Sequence, residues 1–132
     1  MNAVNTLLTG QVNVKPEVLA DALLASLQQY RVLIDGPDHV RAYLTGFPGL
    51  VPHVLPTVER ARREFGDTAE LTLTINDDPE SFDPYLKMYI SLPPYDFDTM
   101  SRIDAIQEPL AEATADQDGF FLLSTDHRLV GR

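Results

Sequence analysis

The sequence predicts an α+β domain, with N-terminal helices followed by a β-hairpin, a helix and a final strand around a small antiparallel or mixed sheet. Three observations carry this reading. Apolar residues recur at spacings of three and four through the first half; two runs in the middle alternate with period two; a further helical stripe and a short apolar run follow. At 132 residues the chain is read as one domain spanning 1–132, long enough to bury a sizeable core.

Residues 1–14 show no clear period and are expected to be mobile. From Pro16, a residue tolerated in a first helical turn, Leu19, Leu23, Leu27 and Tyr30 mark an amphipathic helix. The next stretch, RVLI at 31–34, is ambiguous: Ile34 extends the helical stripe, while Val32, Leu33 and Ile34 also form a β-like run. Asp38 is placed to cap a short helix carrying Val40, Tyr43 and Leu44, closed by TGFPG. A longer helix then carries Val51, Val54, Leu55, Val58, Ala61 and Phe65, with Pro56 implying a kink or a late start and Gly66 a stop. Arg60, Arg62 and Arg63 fall near its end, where cations oppose the negative pole of the helix dipole.

Leu71, Leu73 and Ile75 alternate with Thr72 and Thr74, as Leu86, Met88 and Ile90 alternate with Tyr85, Lys87 and Tyr89. Two such runs joined by a polar segment read as an antiparallel hairpin with one face in the core. Past PPY, an acidic cap at Asp96 or Asp98 opens a helix with Met100, Ile103, Ile106 and Leu110 inward, bent or ended by Pro109. A last strand starts at Phe120 in GFFLLST, parallel to the second hairpin strand if the crossover is right-handed. A strand at 31–34 inserted between those two would make the sheet ferredoxin-like; without it three strands remain, and three are expected.

Charge divides the chain. Residues 1–66 hold six Lys/Arg and six Asp/Glu, while 67–132 hold four and fourteen, so the net −10 lies wholly in the second half. An acidic surface repels phosphate backbones, which excludes nucleic acid as the expected partner and favours a basic protein. There is no Cys, hence no disulfide or thiolate chemistry. The start lacks the basic, apolar character of a secretory signal and no run nears the roughly 20 apolar residues of a membrane span, so a cytoplasmic location without membrane association is the default expectation.

The acidic tip of the hairpin, Asp77, Asp78, Glu80 and Asp83 with Pro79 and Pro84, raises the question of a metal site. In a calcium-loop register starting at Asn76, Ser81 falls where Gly belongs and Lys87 where the bidentate Glu belongs, and strands flank the segment. Asp78-Pro79 is also a good turn opener, and a turn is the reading adopted. The alternative is a small enzyme using those four carboxylates to hold calcium, magnesium or manganese. His39, His53 and His127 show no metalloprotease spacing, and Ser124, Asp126 and His127 on one strand end do not make a catalytic relay. No catalytic residue or cofactor is therefore expected.

Tyr43-Leu44, Phe47-Pro48, Phe65, Asp78-Pro79-Glu80, Asp83, Tyr85-Leu86, Tyr95-Asp96, Gly119-Phe120 and Thr125-Asp126 together give the chain a further character. Over roughly residues 35–127 it resembles a family of small prokaryotic proteins with a helical N-terminal part, this hairpin turn, and a C-terminal helix and strand. His127 departs from the pattern, where a bulky aromatic is expected. The resemblance implies a single domain and a hairpin, and brings no activity, cofactor or catalytic residue.

The functional expectation is a non-catalytic interaction module, adaptor, inhibitor or antitoxin-like, presenting its acidic half to a basic partner or associating with itself. Thr72, Thr74, Tyr85, Lys87 and Tyr89, the second face of the hairpin, are the candidate binding residues. That face is open if the first helix packs on the other helices and closed if residues 16–30 cover it.

Overall fold

The computed structural model describes residues 15–76, 83–91 and 97–125. The expectation for residues 1–14 falls outside them. The elements are α1 (Pro16–Leu27), β1 (Val32–Ile34), α2 (Pro37–Gly46), α3 (Val51–Phe65), β2 (Glu70–Asn76), β3 (Tyr85–Ser91), α4 (Phe97–Ala113) and β4 (Phe121–Thr125). The strands form one mixed sheet in the order β1-β2-β3-β4. The central pair is antiparallel, and each outer strand runs parallel to its neighbour. This is the α+β class read from the sequence.

Two expectations about the sheet are corrected. Residues 32–34 do form a strand, so the sheet has four strands rather than three. That strand lies at the edge beside β2, and β3 pairs directly with β4, so the ferredoxin-like alternative does not hold. The chain leaves α1 through a single 3-10 turn, Gln28–Tyr30, and Arg31 then takes the left-handed conformation at φ 56°, the only non-glycine among the described residues to do so. That backbone reversal ends the helical stripe before Ile34 and aims the next three residues at β2.

Arg62 fixes the junction. From the last turn of α3 its guanidinium donates to the carbonyls of Tyr30 (2.8 Å), Arg31 (3.3 Å), Gly66 (3.0 Å) and Ala69 (2.6 Å). The entry to β1, the end of α3 and the entry to β2 thus share one side chain. Burial and the neighbouring Arg31 charge pull its pKa below the ordinary value, yet a guanidinium stays protonated in proteins. The dipole role read from the sequence for this arginine is therefore secondary to its carbonyl bonds.

Smaller corrections concern helix ends. Gly36, at φ 70°, caps α2, with Pro37 in the first helical position and Asp38 inside the first turn. Both internal prolines are carried through: α3 begins at Val51 and includes Pro56, and α4 continues past Pro109 to Ala113. Each proline removes one N–H, which leaves the carbonyls of Pro52 and Ala105 without their helical donors. The apolar stripes read from the sequence decide the outcome, since Val51, Val54, Leu55, Val58, Ala61 and Phe65 are all buried, as are Ile103, Ile106 and Leu110.

One core holds the two layers together. Inner rows of the sheet, Val32-Leu71-Ile90, Ile34-Leu73-Met88-Leu123 and Ile75-Leu86-Phe121, share one core with Val40 and Leu44 of α2 and the stripes of α3 and α4, and Ala20, Leu23 and Leu27 of α1 join it where α1 packs on α2 and α3. Removing a buried Leu from such a cluster typically costs about 2–5 kcal/mol. Arginines strap the helices outside the core. Arg41 makes a two-bond pair with Asp21 between α2 and α1 (2.7 and 3.2 Å), and Arg102 of α4 reaches Glu64 at 2.6 Å while lying over the Phe65 ring.

Candidate functional site

Because β-strand side chains alternate, the sheet has a second face. Register places Leu33, Thr72, Tyr89 and Ser124 in one row across it, Thr74, Lys87 and Leu122 in the next, and Asn76 with Tyr85 in the third. All five candidate binding residues, Thr72, Thr74, Tyr85, Lys87 and Tyr89, therefore stand together. The buried residues of every helix belong to the core on the opposite, inner side, where α1 packs against α2 and α3, and among the described residues no helix packs on the outer face. Leu33 is 60% exposed and Phe120 50% exposed. The Lys87 ammonium lies 4.7 Å from the centre of the Tyr89 ring, and Tyr85 meets Phe120 edge to face at 5.7 Å. The face is thus a lattice of aromatic rings and short hydroxyls, with apolar residues at both sides.

Sequence reasoning missed Leu33, Phe120 and Leu122. The last two could have been read from parity: with Phe121 and Leu123 inward, Phe120 and Leu122 must face out. Leu33 could not, because the strand that carries it is too short to show a period.

Most described carboxylates of the acidic half make no ion pair. Among the described residues ion pairs use Asp21, Glu64 and Asp67, and none of the carboxylates from Glu70 to Asp118 has one. Asp104, Glu108, Glu112 and Asp116 follow each other at i, i+4 down the exposed side of α4 and beyond its end, on the helical layer and not on the tyrosine face. Of the metal alternative, Asp77, Asp78 and Glu80 lie outside the described residues and Asp83 is exposed. Among the described residues no three His, Asp or Glu come together as a cation site. His39 and His53 lie on different helices, α2 and α3, and Asp126 and His127 lie outside the described residues.

A second cluster forms at the end of the sheet where β1 and β2 finish and β3 and β4 begin. Tyr43 of α2 accepts a hydrogen bond from the Phe120 N–H at 2.9 Å, and its ring lies 4.7 Å from that of Phe47. Gly119 passes so close that an added Cβ would stand 2.8 Å from Phe47 and Leu50. The Tyr43 hydroxyl is held above its ordinary pKa first by burial, with the Asp83 charge adding to it. Five of the residues behind the family resemblance, Tyr43, Phe47, Asp83, Gly119 and Phe120, thus meet in space although they span 77 positions.

The chain was compared with family models, with curated proteins and with solved structures, and matched none of them.

Proposed function

We propose that the chain is a non-catalytic interaction module, an adaptor, inhibitor or antitoxin-like protein, that binds a basic protein partner through the outer face of its sheet. The observation that carries this is the assembly of Thr72, Thr74, Tyr85, Lys87 and Tyr89 on a face that no described helix covers, with Leu33 and Phe120 exposed beside them. Tyrosine suits such a face because it buries a large ring at small entropic cost while its hydroxyl stays at the wet margin. The net charge of the second half, whose described carboxylates from Glu70 to Asp118 make no ion pair, supplies a field that speeds encounter with a basic surface and selects for it. No described helix is long and apolar enough to cross a membrane.

Substituting Tyr85 and Tyr89 together by Ser tests the face. The expected result is an unchanged melting temperature with loss of a dimer, or of a basic partner that native chain retains at low salt and releases at high salt. A clear fall in melting temperature with unchanged mass and partner recovery would show that the face is internal and end this reading.

A further inference from the structure

The cluster at the end of the sheet encloses a groove in two joined parts of about 430 and 320 Å³, which share Tyr43 and Pro84 as lining. The smaller part is lined by Tyr43, Phe47, Asp83, Pro84 and Asp118. Neither carboxylate has an ion pair among the described residues, and no described Lys or Arg lines either part. Two aromatic side chains beside two carboxylates that make no ion pair among the described residues are complementary to a delocalised cation, which packs on aromatic rings and hydrogen-bonds carboxylate oxygens. An anion would meet the same lining at a disadvantage by charge, and an aliphatic group would make no use of the carboxylates.

We infer that this groove takes an arginine side chain of the protein partner. The assignment rests on the reading of the outer sheet face as an interface, and it names what the partner must present beside that face. Continuity supports it: Phe120 is held by Tyr43 through its backbone while its ring packs on Tyr85 of the outer face, so the groove opens at the border of the proposed interface. Both carboxylates are exposed, so a single guanidinium binds there weakly, at about millimolar Kd, and a capped arginine saturates the groove when titrated through that range. An arginine anchored by neighbouring contacts gains more, because its positioning is already set.

The probe is N-acetyl-arginine methylamide, titrated into the full chain while backbone amide resonances are followed. Saturable shifts centred on Phe47, Gly119 and Phe120 are expected, absent with the uncharged citrulline analogue, and weakened about tenfold by Asp83→Asn with Asp118→Asn at unchanged melting temperature. The inference fails if citrulline binds equally, if the double variant binds as well as the native chain, or if no saturable shift appears. Binding of propylguanidine without binding of the capped arginine would reassign the groove to a free small cation. Because the probe makes no use of Tyr85 or Tyr89, failure here is distinguishable from failure of the sheet-face reading.

Discussion

Replacing Arg62 by Met keeps the length and apolar stem of the side chain and removes the donors that reach four carbonyls. The bonds to Tyr30 and Ala69 are partly shielded from water, those to Arg31 and Gly66 are exposed. Hydrogen bonds from a charged donor contribute about 1.5 kcal/mol each at the low end when shielded, and water replaces the exposed ones at little cost, so the loss comes to about 3 kcal/mol. For a domain of this size that corresponds to a fall of roughly 10 °C in Tm. Arg62→Lys keeps the charge but lacks the planar fork, and should recover about half of the loss. Urea unfolding measures both variants, with an unchanged slope showing that only stability has moved. A loss below about 1 kcal/mol for Arg62→Met, or full recovery by lysine, would refute the idea that this guanidinium holds β1 in the sheet.

Gly119→Ala forces a methyl against Phe47 and Leu50 and should destabilise by about 1–3 kcal/mol in urea unfolding; a neutral result would show that the sheet-end cluster is loosely packed. Tyr30 donates to Glu59 at 2.5 Å, and that bond, then burial, raises the tyrosine pKa. Since its folded value lies above the unfolded one of about 10, its contribution is complete below that pH and is lost as pH rises through the folded value. Tyr30→Phe should therefore flatten the alkaline decline of stability, and parallel pH curves for variant and native chain would contradict this. Calorimetry with calcium, magnesium or manganese should give only weak, salt-sensitive heats. Tight uptake of about one ion per chain, abolished by Asp78→Ala with Glu80→Ala, would instead favour the metal-dependent alternative.

The two hairpin strands were legible in the sequence because each is seven residues long and shows its period without help from the rest of the chain. The helical stripes were legible for the same reason, and they outweighed the warnings given by Pro56 and Pro109. Strand β1 was not, since three residues cannot display alternation and the side chain that bonds the backbone just before them, Arg62, is some thirty positions away. The composition of the outer face could be read in advance; whether α1 would cover it could not, because an amphipathic helix shows only that it needs a surface and not which one. The groove is harder still. Tyr43, Asp83 and Asp118 are brought together by the fold alone, and no local spacing connects them.

The order of the sheet also bears on how the chain folds. Its central pairing, β2 with β3, closes locally, whereas each outer strand joins only after a long crossover through helices. Loop closure must precede any reward from a distant pairing, so the hairpin is positioned to nucleate and the two edges to dock on it afterwards. Protection in native-state hydrogen exchange should then grade from the centre outward, with the amides of Leu73 and Met88 the last to open and the three-residue β1 among the first strands to open. Equal protection across all four strands would instead mean that the sheet opens as one cooperative unit.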